Sequence, residues 1–203
     1  VSRLSQCAAK PTRASHTALI RVIQYLINTP THNLTGQVSA TDVLEYYSDS
    51  DHAGDRPHTT KSHTGTMITL NSVPIHWVSK KQIDSTAYSS AMAEIYALSE
   101  TVRQAQSIAW RCEEAGMLVQ WPLCVQVDNR QTKTFQEGTC VKSKLRGVVD
   151  MREQWVQELK DLAKVHVKWV SGEQNKADLL TKCFPNWLFQ RRLQLVAGAT
   201  AAR

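Results

Sequence analysis

Val43-Leu-Glu-Tyr-Tyr-Ser48 is a short apolar and aromatic run that delivers an acid, Asp49, at its end, and Leu123-Cys-Val-Gln-Val127 does the same with Asp128. Runs of this composition read as strands, so each sets a carboxylate at the edge of a sheet. Glu94 falls in the opening turn of a long amphipathic helix. Asp178 lies in Asn175-Lys-Ala-Asp-Leu-Leu-Thr-Lys182, which reads as a helix start. Acids so far apart in sequence, each at an element end, can converge at one sheet edge. Crowded there, they would repel one another unless hard divalent cations neutralised them. Metal-assisted cleavage of a phosphodiester requires that arrangement.

Working outward, Thr64–Leu70 has β-rich composition, and Asn71-Ser-Val-Pro74 turns the chain into Ile75-His-Trp-Val-Ser79. With Val43–Ser48 these runs predict an antiparallel meander. From Ser90 to Ala115, Ile95, Leu98, Val102, Ala105, Ala109 and Cys112 step by three and four residues, and Gly116 follows as a C-cap. The strand Leu123–Val127 follows a helix and so can lie parallel to the first. Residues 130–136 read as a short helix, 138–147 as a basic connection, 150–163 as a helix, His166–Val170 as a fifth strand and Ala177–Lys182 as a last helix start. The order βββαβαβα predicts an α/β fold, a mixed five-stranded sheet with helices on its faces. Upstream, Leu19, Ile20, Ile23, Leu26 and Ile27 predict a helix over 14–28, stopped before Pro30.

An apolar fraction of 42% with six Trp supports a packed core. No apolar run reaches the roughly 20 residues of a membrane span. Five cysteines without a C-x-x-C pair disfavour zinc ribbons and a disulfide framework. The net charge of +6 is uneven: residues 129–203 hold fourteen Lys and Arg against seven Asp and Glu, while the middle of the chain is acidic. A basic surface beside an acidic pocket suits a polyanionic substrate drawn toward bound metal. The loop histidines His52, His58 and His63 lack a ligand spacing and read as polar surface. Trp77, Trp155 and Trp169 fall on apolar faces and read as core.

The words Tyr47-Ser-Asp-Ser-Asp-His-Ala-Gly-Asp55, Lys61-Ser-His-Thr-Gly65, Ile75-His-Trp-Val-Ser-Lys-Lys-Gln82, Ser89-Ser-Ala-Met-Ala-Glu-Ile-Tyr-Ala-Leu98, Val127-Asp-Asn129 and Ala177-Asp-Leu-Leu-Thr-Lys182 stand in one order. In that order they resemble the ribonuclease H (RNase H) domain of copia-type LTR retrotransposon Pol polyproteins, over roughly residues 42–185. His16-Thr-Ala-Leu-Ile-Arg-Val-Ile-Gln-Tyr-Leu-Ile-Asn-Thr29 looks like the end of the same family's reverse transcriptase. The resemblance thus divides the chain into a reverse-transcriptase remnant or connection over 1–41, an RNase H-like domain over 42–185 and a tail over 186–203. It implies a piece of a longer polypeptide, intracellular, and in a cytoplasmic virus-like particle if the element is active.

The resemblance further implies hydrolysis of the RNA strand of RNA/DNA hybrids with two Mg2+ ions, Mn2+ able to substitute. Asp49, Glu94, Asp128 and Asp178 are the matching catalytic and metal-binding acids. Asp51, two residues on and on the same strand face, stays a rival to Asp49. Lys80, Lys81, Ser89, Ser90, Asn129, Arg130, Lys142 and Lys144 are expected along the nucleic acid, with the reverse transcriptase as a further partner. The chain departs from the pattern at His52, where the family usually has Trp, at Gly147-Val-Val-Asp150, and before Asp178, where cellular relatives carry a His. Glu173 is left there as a candidate for proton transfer or product release. A repurposed fold that holds nucleic acid without cutting, and another nuclease of the same broad fold, remain the alternatives.

Overall fold

The computed structural model describes residues 1–34, 36, 41–52, 61–82, 90–129 and 151–197. By contacts the chain divides into two units, one built on Val1–Asn33 and one spanning Leu34–Ala199. The first holds α1 (Ser2–Ser5) and α2 (Arg13–Asn28). A reciprocal capping box opens α2: the Thr12 hydroxyl accepts the Ser15 N–H at 3.1 Å, and the Ser15 hydroxyl accepts the Thr12 N–H at 2.8 Å.

The second unit runs β1 (Leu44–Asp51), β2 (His63–Leu70), β3 (Val73–Lys81), α3 (Ser90–Glu114), β4 (Leu123–Val127), α4 (Met151–Asp161), β5 (Val165–Trp169), α5 (Asp178–Thr181) and α6 (Asn186–Ala197). The sheet order is β3-β2-β1-β4-β5, antiparallel across β1–β2–β3 and parallel across β1–β4–β5. The β2–β3 hairpin closes over Asn71 and Ser72, both at positive φ (50° and 68°). Two such residues make the turn whose twist matches the flanking strands, and Asn tolerates that conformation better than most side chains.

Alternate residues of β1 serve opposite faces of the sheet. Tyr46 joins Ile68, Leu98, Val102, Val125 and Val167 in the main core beneath α3 and α4, whereas Tyr47 joins Met67, Ala177 and Val196 beneath α5 and α6. Leu98 and Val102 are fully buried, and truncating Leu98 to Ala would cost about 2–5 kcal/mol.

Several expectations need correction. β1 does not stop at Ser48; it continues to Asp51, because every residue from Leu44 to Asp51 has a partner on β2. His63 is not a loop residue but the buried start of β2, its Nε2 3.0 Å from the Ser79 hydroxyl. Trp77 is 56% exposed and Trp169 36%, and the strands that carry them, β3 and β5, are the edge strands of the sheet. Residues 186–197, within the stretch read as a tail, form α6, and Val196 is buried in the second core. The helix read at 130–136, the basic connection at 138–147 and the last residues lie outside the described part.

Candidate active site

Asp49 is the sixth residue of β1, on the face that carries Tyr47, and it is 1% exposed. Asp128 directly follows β4. The parallel register Tyr46↔Val125 and Tyr47↔Gln126, carried two residues further, sets these acids side by side at the carboxyl ends of the two strands. Asp178 opens α5 and is 3% exposed. One carboxylate oxygen from each of Asp49, Asp128 and Asp178 lies within 4.8 Å of the others.

Short local devices bring α5 down onto the sheet. Gly65 stands opposite Asp49 in β2, and a Cβ there would meet Thr181 Cγ2 at 2.7 Å and the Ala177 carbonyl at 2.9 Å. Only glycine permits that approach. Buried Asn175 donates to the Ser48 carbonyl at 2.9 Å and accepts from the Ala177 N–H at 3.1 Å, fixing the approach to α5 against β1. The Ser79 hydroxyl, itself bonded to His63, donates to the Leu180 carbonyl at 2.6 Å. Gly172 passes so close to Asp128 that an added Cβ would lie 3.2 Å from Oδ2.

Cations and donors then set the charge balance. Lys182 Nζ lies 2.5 Å from Asp178 Oδ1, 3.3 Å from Asp49 Oδ1 and 4.0 Å from Asp128 Oδ2. Arg192 reaches the other oxygen of Asp178 at 3.2 Å and also donates to the Gly172 carbonyl. The Thr181 hydroxyl donates to Asp49 Oδ2. Burial raises the Asp49 carboxyl to about 7, against the downward pull of Lys182 and Thr181. Burial likewise raises Asp128, again opposed by Lys182. Glu94, buried on the first turns of α3, is held up at about 9 by burial and then by the charges of Asp49 and Asp128. Burial would lower the Lys182 ammonium, but the carboxylates of Asp49, Asp178 and Asp128 outweigh it and push its pKa up.

Of the four acids read from the sequence, three form the close cluster, and Glu94 faces it through its coupling to Asp49 and Asp128. Asp51, half-buried, is not part of the cluster. Lys80 is committed to Glu100 of α3 at 2.9 Å. Lys81 is half-buried at the end of β3, Ser90 is exposed at the start of α3, and Asn129 is half-buried next to Asp128. Ser89, Arg130, Lys142 and Lys144 lie outside the described residues. Glu173 is exposed and pairs with Arg191 at 3.4 Å. Sequence reasoning missed Lys182, Arg192, Thr181 and Trp169, whose indole N–H donates to the Asp128 carbonyl at 2.9 Å. Position in the word Ala177-Asp-Leu-Leu-Thr-Lys182 could have signalled two of them, because four residues separate Asp178 from Lys182, one helical turn.

No family model matches the chain. It is 30% identical over 190 residues to the retrovirus-related Pol polyprotein from transposon RE1 of Arabidopsis thaliana, a match covering 94% of this chain and 13% of that protein. It is 40% identical over 105 residues to the secreted RxLR effector protein 161 of Plasmopara viticola, covering 52% of this chain and 72% of that one. Among solved structures, the N-terminal RNase H domain of a Mycobacterium tuberculosis protein superposes with a TM-score of 0.50 at 14% identity, over 74% of this chain and 96% of that one. Sheet order, helix placement and this likeness define an RNase H fold. The chain belongs to the retrovirus-related Pol polyproteins of transposons, of which it spans 13% of the length of the Arabidopsis relative.

Proposed function

We propose that this unit is the RNase H domain of a copia-type retroelement, hydrolysing the RNA strand of RNA/DNA hybrids with two Mg2+ ions, Mn2+ able to substitute. The observation that carries the proposal is the convergence of Asp49, Asp128 and Asp178 at the carboxyl ends of two parallel strands. Their donor set fits a hard divalent cation: every ligand atom is a carboxylate oxygen, and charge so concentrated already draws an ammonium into the cluster. In this reading Asp49 and Asp128 are the central ligands, with Glu94 and Asp178 flanking them. A bound divalent ion supplies Lewis-acid stabilisation of charge at the phosphodiester and a more acidic water.

The chain's own groups then have defined work. Thr181 fixes one oxygen of Asp49, Arg192 fixes one oxygen of Asp178, and Trp169 anchors the backbone of Asp128. Glu94 stays protonated at neutral pH until a nearby positive charge favours its carboxylate. Asn129 follows Asp128 directly, where a polar side chain can read a 2′-hydroxyl across the wide minor groove of the hybrid. Lys81 and Ser90, with Ser89, Arg130, Lys142 and Lys144, are assigned to the phosphate backbone. The reverse transcriptase segment of the same polyprotein is the expected partner, acting inside a cytoplasmic particle.

The test sets an RNA/DNA hybrid beside a DNA duplex of the same sequence, each with Mg2+ and with chelator. Cleavage confined to the RNA strand of the hybrid and to the Mg2+ arm is the expected result. Equal cutting of both substrates removes the RNase H assignment, and binding of the hybrid without cutting in any arm favours the repurposed binding module.

A further inference from the structure

Among the described residues two cations serve the acid cluster, and they are bonded differently. Arg192 is 9% exposed, takes Oδ2 of Asp178 and also bonds the Gly172 carbonyl, so backbone as well as charge holds it in place. Lys182 takes Oδ1 of Asp178 and reaches inward to one oxygen each of Asp49 and Asp128. Among the described residues its ion-pair partners are all acids of the cluster, and its side chain keeps 37% exposure, which leaves a path out to solvent. Nearby Lys176 shows what a structural lysine looks like here: it pairs with Glu45 at 3.0 Å, lies over the Tyr47 ring and has a side chain only 10% exposed.

Space decides the rest. The three acids' ligand atoms lie within 4.8 Å of one another. Magnesium sits about 2.0–2.1 Å from its oxygen ligands, calcium about 2.3–2.6 Å. Oxygens within 4.8 Å of one another leave room among the three acids for one cation centre, onto which small side-chain movements can close them, and the Lys182 nitrogen already stands in contact with Asp178. An ammonium and a divalent ion there would exclude one another by volume and by charge.

We infer that Lys182 is a tethered counter-ion that holds Asp49, Asp128 and Asp178 together in the metal-free protein and gives up its place when a divalent cation binds. The inference rests on the reading of the cluster as a metal site. Metal loading is then an exchange, and the apparent affinity for the ion is the intrinsic one scaled down by the fraction of molecules in which Lys182 is out. A Lys182-out population of about one in ten weakens apparent binding about tenfold.

The experiment measures Mg2+ binding by titration calorimetry at one pH for the wild type, Lys182→Met, Asp128→Asn and Lys168→Met, the last removing a charge from an exposed position of β5. Each is also melted in chelator. Lys182→Met should bind Mg2+ about tenfold more tightly and melt lower without metal, while Lys168→Met stays within about twofold of wild type. In parallel, amine-reactive labelling of wild-type Lys182, read by peptide mass spectrometry, should accelerate when Mg2+ is added. That arm stands even if Lys182→Met fails to fold. Unchanged or weaker Mg2+ binding by a folded Lys182→Met, or labelling indifferent to Mg2+, overturns the exchange. If Asp128→Asn loses Mg2+ binding while those readouts stay flat, only the role of Lys182 falls. If Asp128→Asn binds Mg2+ as the wild type does, the site reading falls with it.

Discussion

Replacing Glu94 with Gln tests how much the acid pocket costs the metal-free fold. Glu94 is 8% exposed, and its carboxyl is held at about 9 in the fold against an ordinary 4.5 in the unfolded chain. A group with a raised folded pKa binds more protons folded than unfolded throughout that interval. Its contribution is therefore full below pH 4.5 and declines as pH rises through 9. The slope approaches 1.36 kcal/mol per pH unit and halves near the folded pKa, so from pH 7 to 9 the loss is about 2 kcal/mol. Asp49, raised to about 7, loses most of its own contribution by then, which leaves Glu94 as the acid that dominates this window. Urea unfolding of wild type and Glu94→Gln in chelator at pH 7, 8 and 9 reads the effect, since titrating groups that do not interact with Glu94 cancel in the difference and what remains is Glu94 with its coupling to Asp49 and Asp128. The variant should be the flatter of the two, by about 2 kcal/mol across the window. Parallel pH profiles would show that Glu94 titrates normally and is not buried against Asp49 and Asp128.

Three further outcomes follow from the geometry. Gly65→Ala forces a methyl into Thr181 and the Ala177 carbonyl, so it should lower unfolding free energy by about 1–3 kcal/mol and cut hybrid cleavage more than hybrid binding, because α5 carries Asp178. Thr181→Val leaves an oxygen of buried Asp49 without its donor and should cost about 1–3 kcal/mol in chelator, with a smaller deficit once Mg2+ is present, read by urea melts in both buffers. Arg192→Met strips one cation from Asp178 and should cost about 1–3 kcal/mol, Lys182 on the other oxygen limiting the loss, with Arg192→Lys partly restoring it in thermal melts.

The acids were legible because strand ends and helix starts carry local signals. Alternation through Leu123–Val127 and the three-four stepping of α3 place Asp128 and Glu94 without knowledge of any contact. Choosing between Asp49 and Asp51 was beyond the sequence, since a two-residue step keeps the strand face. It took the position of α5, set by Gly65 and Asn175, to settle that Asp49 joins the cluster. Lys182 carried a signal, its four-residue offset from Asp178, that went unread, whereas nothing in the sequence says that an arginine on α6 closes on the same carboxylate. The misplacement of Trp77 has the same origin: alternation assigns a face, but only the strand order shows that β3 is an edge.

The most direct test of the account places wild type and Asp128→Asn side by side on a labelled RNA/DNA hybrid, with cleavage followed on a gel and binding by anisotropy. Wild type should cut the RNA strand only when Mg2+ is present. The variant should bind the hybrid comparably, with its cleavage rate lower by at least about 100-fold, since even groups that only orient metal ligands are worth about 10–100-fold. Equal Mg2+-dependent cleavage by the two proteins would contradict the claim that Asp49, Asp128 and Asp178 form the reacting centre.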